Sequence, residues 1–249
     1  MANQHVFLYL VLLTSAAAFS SITPSSLSSF VGINGKFTIK SERREEFLAL
    51  IKDDKFQTLQ TEPAALQFIV GEDTASRNTF YLHEKFTTLD GFHLHQKTSH
   101  FAKWVQFTKS SPFAQDGEPI FDIFDGAHSV HQKDTKDVTE IAMSSTPLFC
   151  LNVELCIKPE IREDFLQVIS INKKGSDEEP LCSQYHYGES ISTPNSFYFH
   201  EEYIGIDGGK EGFDAHAIAP HFQVWENFAG KKPEPFTKPP VVSFYRPLN

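Results

Sequence analysis

The chain is poor in cysteine, in basic charge and in long apolar runs. Its three cysteines, Cys150, Cys156 and Cys182, all lie in the second half. The first half offers them no partner, so reduced thiols are expected rather than a disulfide framework. No pair has CxxC spacing, which excludes a zinc ribbon. Lys and Arg number 22 against 32 Asp and Glu, a formal net charge of −10. Nucleic acid and anionic membrane both call for a basic patch, so neither is an expected partner. The acidic residues form no run and read as solvated surface. Beyond Leu13 no segment is apolar enough to cross a membrane, and the mature form is expected to be free of one. What is abundant is phenylalanine, 24 residues, enough bulk to fill two small cores.

The first 30 residues read as a presequence. Val6 to Leu13 is an apolar core too short to span a bilayer as a helix, and Ala16-Ala17-Ala18 supplies small residues for a signal peptidase. Phe19 to Phe30 is rich in hydroxyls and has no acidic residue, like a transit peptide. The junction Ser-Ala-Ala-Ala-Phe-Ser resembles the bipartite plastid presequences of diatoms and related algae. Plastid import is therefore expected, with secretion as the alternative.

The organising feature is an internal repeat. Asn78, Phe80, Tyr81, His83 and Glu84 recur as Asn195, Phe197, Tyr198, His200 and Glu201 at one offset. A few inserted residues later, His95, His100, Phe101 and Trp104 recur as His216, His221, Phe222 and Trp225. Such self-similarity predicts two copies of one unit, at 31–125 and 147–249, joined by a polar linker at 126–146. Ile33, Phe37 and Ile39 alternate as on a strand. Ser41 is placed to cap a helix whose stripe is Phe47, Leu48, Leu50 and Ile51. Strands at 65–70 and 80–86, a helix at 91–107 and a strand at 120–124 complete the unit. The order is β-α-β-β-α-β, a ferredoxin-like α+β unit. Such a sheet has helices on one face only, so its other face must be covered. Two units packed sheet to sheet would cover each other, making an intrachain pseudo-dimer; further oligomerisation stays open.

The strand ending Phe-x-Leu-His-Glu, followed by Gly-Phe-x-x-His-x-x-x-x-His-Phe, resembles the antibiotic biosynthesis monooxygenase (ABM) family. The resemblance covers most of 31–125 and 147–248. It implies a dimeric α+β barrel with a pocket between sheet and helices. Some members oxygenate polycyclic aromatics or quinols without metal or flavin; others isomerise, degrade haem or have no assigned activity. Asn34 and Asn152 match the pocket asparagine of the haem-degrading branch. Val105 and Glu226 stand where that branch has its axial histidine, and haem iron needs that ligand.

The resemblance therefore implies a cofactor-independent monooxygenase of a small aromatic or quinol-like substrate, with no cofactor. A non-catalytic binding protein and an oxygen-independent isomerase are the alternatives. His95 and His216 are the first candidates for the base, since imidazole titrates near neutrality; His100 and His221 are the others. Residues five apart diverge on a regular helix, so each pair shares one pocket only if the helix breaks between them. Asn34 and Asn152 could polarise a carbonyl, although strand parity opposes Asn34 to Phe37 unless Gly35 marks a bulge. Trp104 and Trp225 could stack on a planar substrate, or simply pack. Glu84 and Glu201 line the substrate side or pair with a nearby cation. His83, Glu84, His95 and His100 include metal-ligand types, but neighbours on a strand face opposite ways, so no metal is expected.

Overall fold

A computed structural model describes residues 30–126 and 147–248. The expected presequence up to residue 29 and the linker from 127 to 146 lie outside the described residues. The first repeat runs β1 (Val31–Thr38), α1 (Arg44–Thr61), β2 (Ala65–Asp73), β3 (Thr79–Phe86), α2 (Leu89–His95), α3 (Ser99–Lys109) and β4 (Ile120–Asp125). The second runs β5 (Phe149–Cys156), α4 (Arg162–Glu178), β6 (Cys182–Ser190), β7 (Ser196–Tyr203), α5 (Lys210–Ala217), α6 (Pro220–Ala229) and β8 (Val241–Pro247).

Two local expectations are corrected. The single helix at 91–107 is two helices. Thr98 leaves the helical region, and its hydroxyl accepts the Phe101 N–H at 3.3 Å, starting a new helix at Ser99. The second repeat breaks at the same place by another device. Pro220 sits in the first turn, where a missing N–H costs nothing. Ser41 does not cap α1. It opens a 3-10 turn, Ser41–Arg43, and its hydroxyl accepts the Asn78 side-chain amide at 3.0 Å.

The repeated asparagines are turn residues. Asn78 and Asn195 take φ of 65° and 61°, a conformation that asparagine tolerates better than most residues. Each donates its backbone N–H to a carboxylate, Glu72 or Glu189, at 2.7 Å. Arg44 and Arg162 grip those carboxylates with both terminal nitrogens, and each also donates to its asparagine Oδ1.

Within each repeat the strands form a four-stranded antiparallel sheet, in the orders β4-β1-β3-β2 and β8-β5-β7-β6. The sheets also pair edge to edge, β2 with β8 and β4 with β6, closing one eight-stranded barrel. The fold is thus α+β: two ferredoxin-like units packed sheet to sheet as an intrachain dimeric α+β barrel. Closure leaves no sheet edge open to another chain.

Period-two alternation decides what lies on each side of the barrel wall. Phe37, Phe68, Phe80 and Leu82 face outward and pack with Phe47 and Ile51 of α1 and Trp104 of α3. Leu155, Tyr187, Phe197 and Phe199 do the same against Phe165 and Ile169 of α4. Each buried phenylalanine side chain contributes about 1.5–3 kcal/mol.

The barrel interior holds a polar centre between two aromatic-rich clusters, Ile69, Tyr81 and Tyr245 in one and Phe30, Phe124 and Tyr198 in the other. The His83 and His200 rings stack at 3.8 Å, nearly parallel. Asn34 Oδ1 lies 2.8 Å from His83 Nδ1, and Asn152 Oδ1 lies 2.9 Å from His200 Nδ1. Each asparagine amide donates across to the opposite repeat, Asn34 to the Phe199 carbonyl at 2.9 Å and Asn152 to the Leu82 carbonyl at 3.2 Å. Phe30, assigned from sequence to the presequence, is buried against Phe124 and the His186 ring. Cys150, Cys156 and Cys182 form no disulfide. Among the described residues, no helix is long and apolar enough to cross a membrane.

The β4–β6 seam depends on Gly188, where a Cβ would enter the van der Waals shell of the Asp125 carbonyl oxygen. Gly188→Ala should lower stability by about 1–3 kcal/mol, the usual cost of overpacking, read as a lower midpoint in thermal unfolding. An unchanged midpoint would mean that the seam is not tightly packed.

Candidate functional site

The candidate site lies outside the barrel, between the sheet and its helices. In the first repeat His95 ends α2 and His100 begins α3. The break between the helices turns both rings onto Glu62, just past the end of α1. Glu62 Oε1 is 2.9 Å from His95 Nδ1 and 2.6 Å from His100 Nε2. Glu84 on β3 shares the outward face of Leu82, and its Oε2 is 3.9 Å from His95 Nε2. Asp54, one helical face of α1 inward of Glu62, is buried in the same region.

The electrostatics follow from burial. Burial pushes Glu62 up, but its hydrogen bonds to His95 and His100 and their charges outweigh it and hold it below the usual carboxylate range. Burial likewise opposes charge on His95, yet the Glu62 hydrogen bond and the carboxylates of Glu84, Asp54 and Glu62 raise it. Glu84 is pushed by burial up to about 7, against the pull of His95. Asp54 is pushed by burial up to about 6, again against His95 and His100. Glu84 and Asp54 are thus brought toward neutrality beside His95, whose charge each of them feels.

Three buried polar atoms in this set have no hydrogen-bond partner among the described residues: Asp54 Oδ1, Glu84 Oε2 and His95 Nε2. Native structures rarely leave such groups unpaired. The second repeat engages the counterparts of both residues through tyrosine hydroxyls, although Asn172 Oδ1 also has no hydrogen-bond partner among the described residues. Asn172, at the position of Asp54, donates to the Tyr185 hydroxyl at 2.9 Å, and Tyr203 donates to Glu201 at 2.6 Å. In the first repeat those tyrosines are Phe68 and Phe86, which carry no hydroxyl. The His–His–Glu arrangement itself is retained. His216 Nδ1 is 3.2 Å from both oxygens of Glu179, and His221 Nε2 is 3.0 Å from Oε1.

The structure therefore brings His95, His100 and Glu84 together, and likewise His216, His221 and Glu201. It separates them from Asn34 and Asn152. Asn34 is paired in regular register with His83 and Asp122, without a bulge, and faces the barrel interior. Parity also divides His83, inside, from Glu84, outside. Trp104 is a core residue, 5.4 Å from the Phe37 ring, and Trp225 packs on Phe228 and Phe236.

Glu62, Glu179 and Asp54 were missed. One signal was available for the first two: 179 − 62 and 195 − 78 are both 117, so Glu179 repeats Glu62 at the offset of the strand motif. Asp54 has no such signal, because its counterpart is Asn172.

A barrel made of two fused α+β units, each holding two histidines on one glutamate, defines the class. Residues 30–106 match the family model for antibiotic biosynthesis monooxygenase, the family that the motifs of the first repeat resemble. An uncharacterized protein of Synechocystis sp. is 28% identical over 90 residues, 36% of this chain and 56% of the relative. The match thus spans little more than half of that relative. A crystal structure of a candidate monooxygenase from Fusobacterium nucleatum is similar with TM-score 0.70 at 15% identity, covering 90% of this chain and 94% of that one. Another, from Lactobacillus acidophilus, gives 0.64 at 20% identity, covering 88% and 94%. An anthrone oxidase-like protein gives 0.58 at 9% identity, covering 90% and 93%. These structural likenesses establish the fold.

The raised carboxyls make a pH prediction. Glu84 and Asp54 hold their protons more tightly folded than unfolded. Their contribution to stability is therefore present below about pH 4 and is lost as pH rises through about 7. His95, also raised, loses its contribution in the same direction. Glu84→Gln should flatten the decline, gaining up to about 2–3 kcal/mol over the wild type at pH 8 and nothing at pH 4. Denaturant unfolding across that range checks it; equal slopes would show that Glu84 is ionised at little cost.

Proposed function

We propose that the first repeat is an acid–base oxygenation site for a small phenol, quinol or anthrone-like substrate. One observation carries this reading. His95 Nε2 and Glu84 Oε2 are buried, unpartnered and 3.9 Å apart. A single hydroxyl oxygen hydrogen-bonded to both, at lengths of roughly 2.7–2.9 Å, spans that separation. It would accept from the imidazolium and donate to the carboxylate.

Glu84, raised to about 7, is matched to take a proton near neutral pH. That shifts the base role expected for His95 to Glu84. His95 then holds the resulting oxyanion, its charge kept by Glu62 on the opposite ring nitrogen. His100 fixes Glu62 from the other side. The deprotonated, electron-rich ring passes its electrons to dioxygen; one oxygen atom joins the ring carbon and the other leaves as water. No flavin or haem enters this scheme, because the substrate is the reductant. The match of the first repeat to a monooxygenase family and the anthrone oxidase-like neighbour support the reaction class.

Oxygen consumption by the full chain with anthrone or a simple hydroquinone tests the reading. Glu84→Gln should lower kcat by about 10²–10⁴-fold, the range for loss of a general base. Glu201→Gln should leave most of the rate, since Glu201 is already engaged by Tyr203. Wild-type rates in Glu84→Gln, or product formed without oxygen uptake, would overturn the proposal.

A further inference from the structure

The second repeat keeps the three ligand-type residues but spaces them differently. In the first repeat one carboxylate oxygen sits between two ring nitrogens at 2.9 and 2.6 Å, both hydrogen-bond lengths. In the second, His216 Nδ1 is equidistant, at 3.2 Å, from the two Glu179 oxygens, and His221 Nε2 stands 3.0 Å from one of them. Ligands bound to one ion at 2.0–2.1 Å lie roughly 3.0–3.4 Å from each other. The Glu179 contacts, at 3.0 and 3.2 Å, fall at that spacing while those of Glu62 are shorter, and the three ligand atoms of the second cluster lie within 4.8 Å of one another.

Direction agrees with distance. His221 Nε2 makes no aligned hydrogen bond to any described atom, despite its approach to Glu179. Two imidazoles and one carboxylate are the ligand types of divalent first-row transition metals. Glu201 supplies a carboxylate near His216, already fixed by the Tyr203 hydroxyl, as outer partners of metal-bound histidines usually are.

The chain also makes room here. Gly175 replaces the first repeat's Gln57, and a Cβ at 175 would collide with the His221 ring. The glycine lets that ring lie against α4. A surface pocket of about 350 Å³, lined by Glu179, Leu181, Ala215, Ala219, Pro220 and His221, opens beside the cluster. An ion there would have a coordination position reachable from solvent, as catalytic rather than structural sites do.

We infer that Glu179, His216 and His221 form a binding site for one divalent transition-metal ion, open to an exogenous ligand through the adjacent pocket. This goes beyond the first-repeat reaction and does not rest on it. It also departs from the absence of metal expected from sequence, where only a set built on His83 and Glu84 was considered.

The test is titration of the metal-stripped full chain with Zn²⁺ by calorimetry and with Co²⁺ by visible absorption. One equivalent should bind per chain. Glu179→Gln and His221→Ala should each weaken binding by at least about tenfold, and Glu62→Gln should leave the second-repeat equivalent intact. Far-ultraviolet circular dichroism of each variant, matched to the wild type, shows that loss of binding is not loss of folding; Glu179→Gln, the closest isostere, remains the decisive variant. Binding unchanged in Glu179→Gln, no binding by the wild type, or an equivalent lost on Glu62→Gln alone would each overturn the assignment. None of these readouts involves oxygen uptake, so this proposal and the first-repeat reaction fail separately.

Discussion

Asn34 and Asn152 each spend their side-chain amide on a backbone carbonyl of the opposite repeat, and their carbonyl on a histidine of their own. That exchange sets the architecture. Each sheet's inner face carries buried polar groups that its own repeat cannot fully satisfy, and unpaired buried polar groups are costly. The stacked His83 and His200 rings sit where the two faces meet. Edge pairing at β2–β8 and β4–β6 then closes the wall. With the interior engaged this way, the outer faces are left to the helices, and the His–His–Glu clusters lie there.

On those outer faces the two repeats share a scaffold and differ in a few atoms. Phe68 and Phe86 against Tyr185 and Tyr203 is a difference of two hydroxyls. In the second repeat those hydroxyls engage the Asn172 amide nitrogen and the Glu201 carboxylate. In the first, Asp54 and Glu84 are buried without them, and burial lifts both toward neutrality. Buried carboxyls left in this state cost stability, a cost typical of positions kept for acid–base chemistry or ligand contact. The second repeat has an uncharged Asn172 in place of Asp54 and a tyrosine hydroxyl on Glu201, which burial still raises, and it has Gly175 beside its histidine cluster. Duplication thus leaves one His–His–Glu frame in two different surroundings.

Much of the fold was legible because the chain repeats it. The shared offset from Asn78 to Glu84 fixed the strand order and the number of units, and alternation fixed which face of β3 holds Phe80, Leu82 and Glu84. The same alternation already set Asn34 against Phe37, and the regular register bears this out. The helix break was legible only as a condition. Histidines five apart suit a straight helix or a broken one, and Thr98 and Pro220 end a turn by unlike means. Glu62 and Glu179 lie outside the motif stretch, past a long helix whose partner packing decides where its end falls. Asp54 differs between the repeats, so no repeat signal could reveal it.

The central claim is that a buried carboxyl in the first repeat stays protonated up to neutral pH because it has no partner. Infrared difference spectra of wild type minus Glu84→Gln, recorded from pH 4 to 9, measure this directly. The account predicts a protonated-carboxyl band that fades only as pH passes about 7. A band already gone by pH 5, with Glu84 ionised like a surface glutamate, would contradict it.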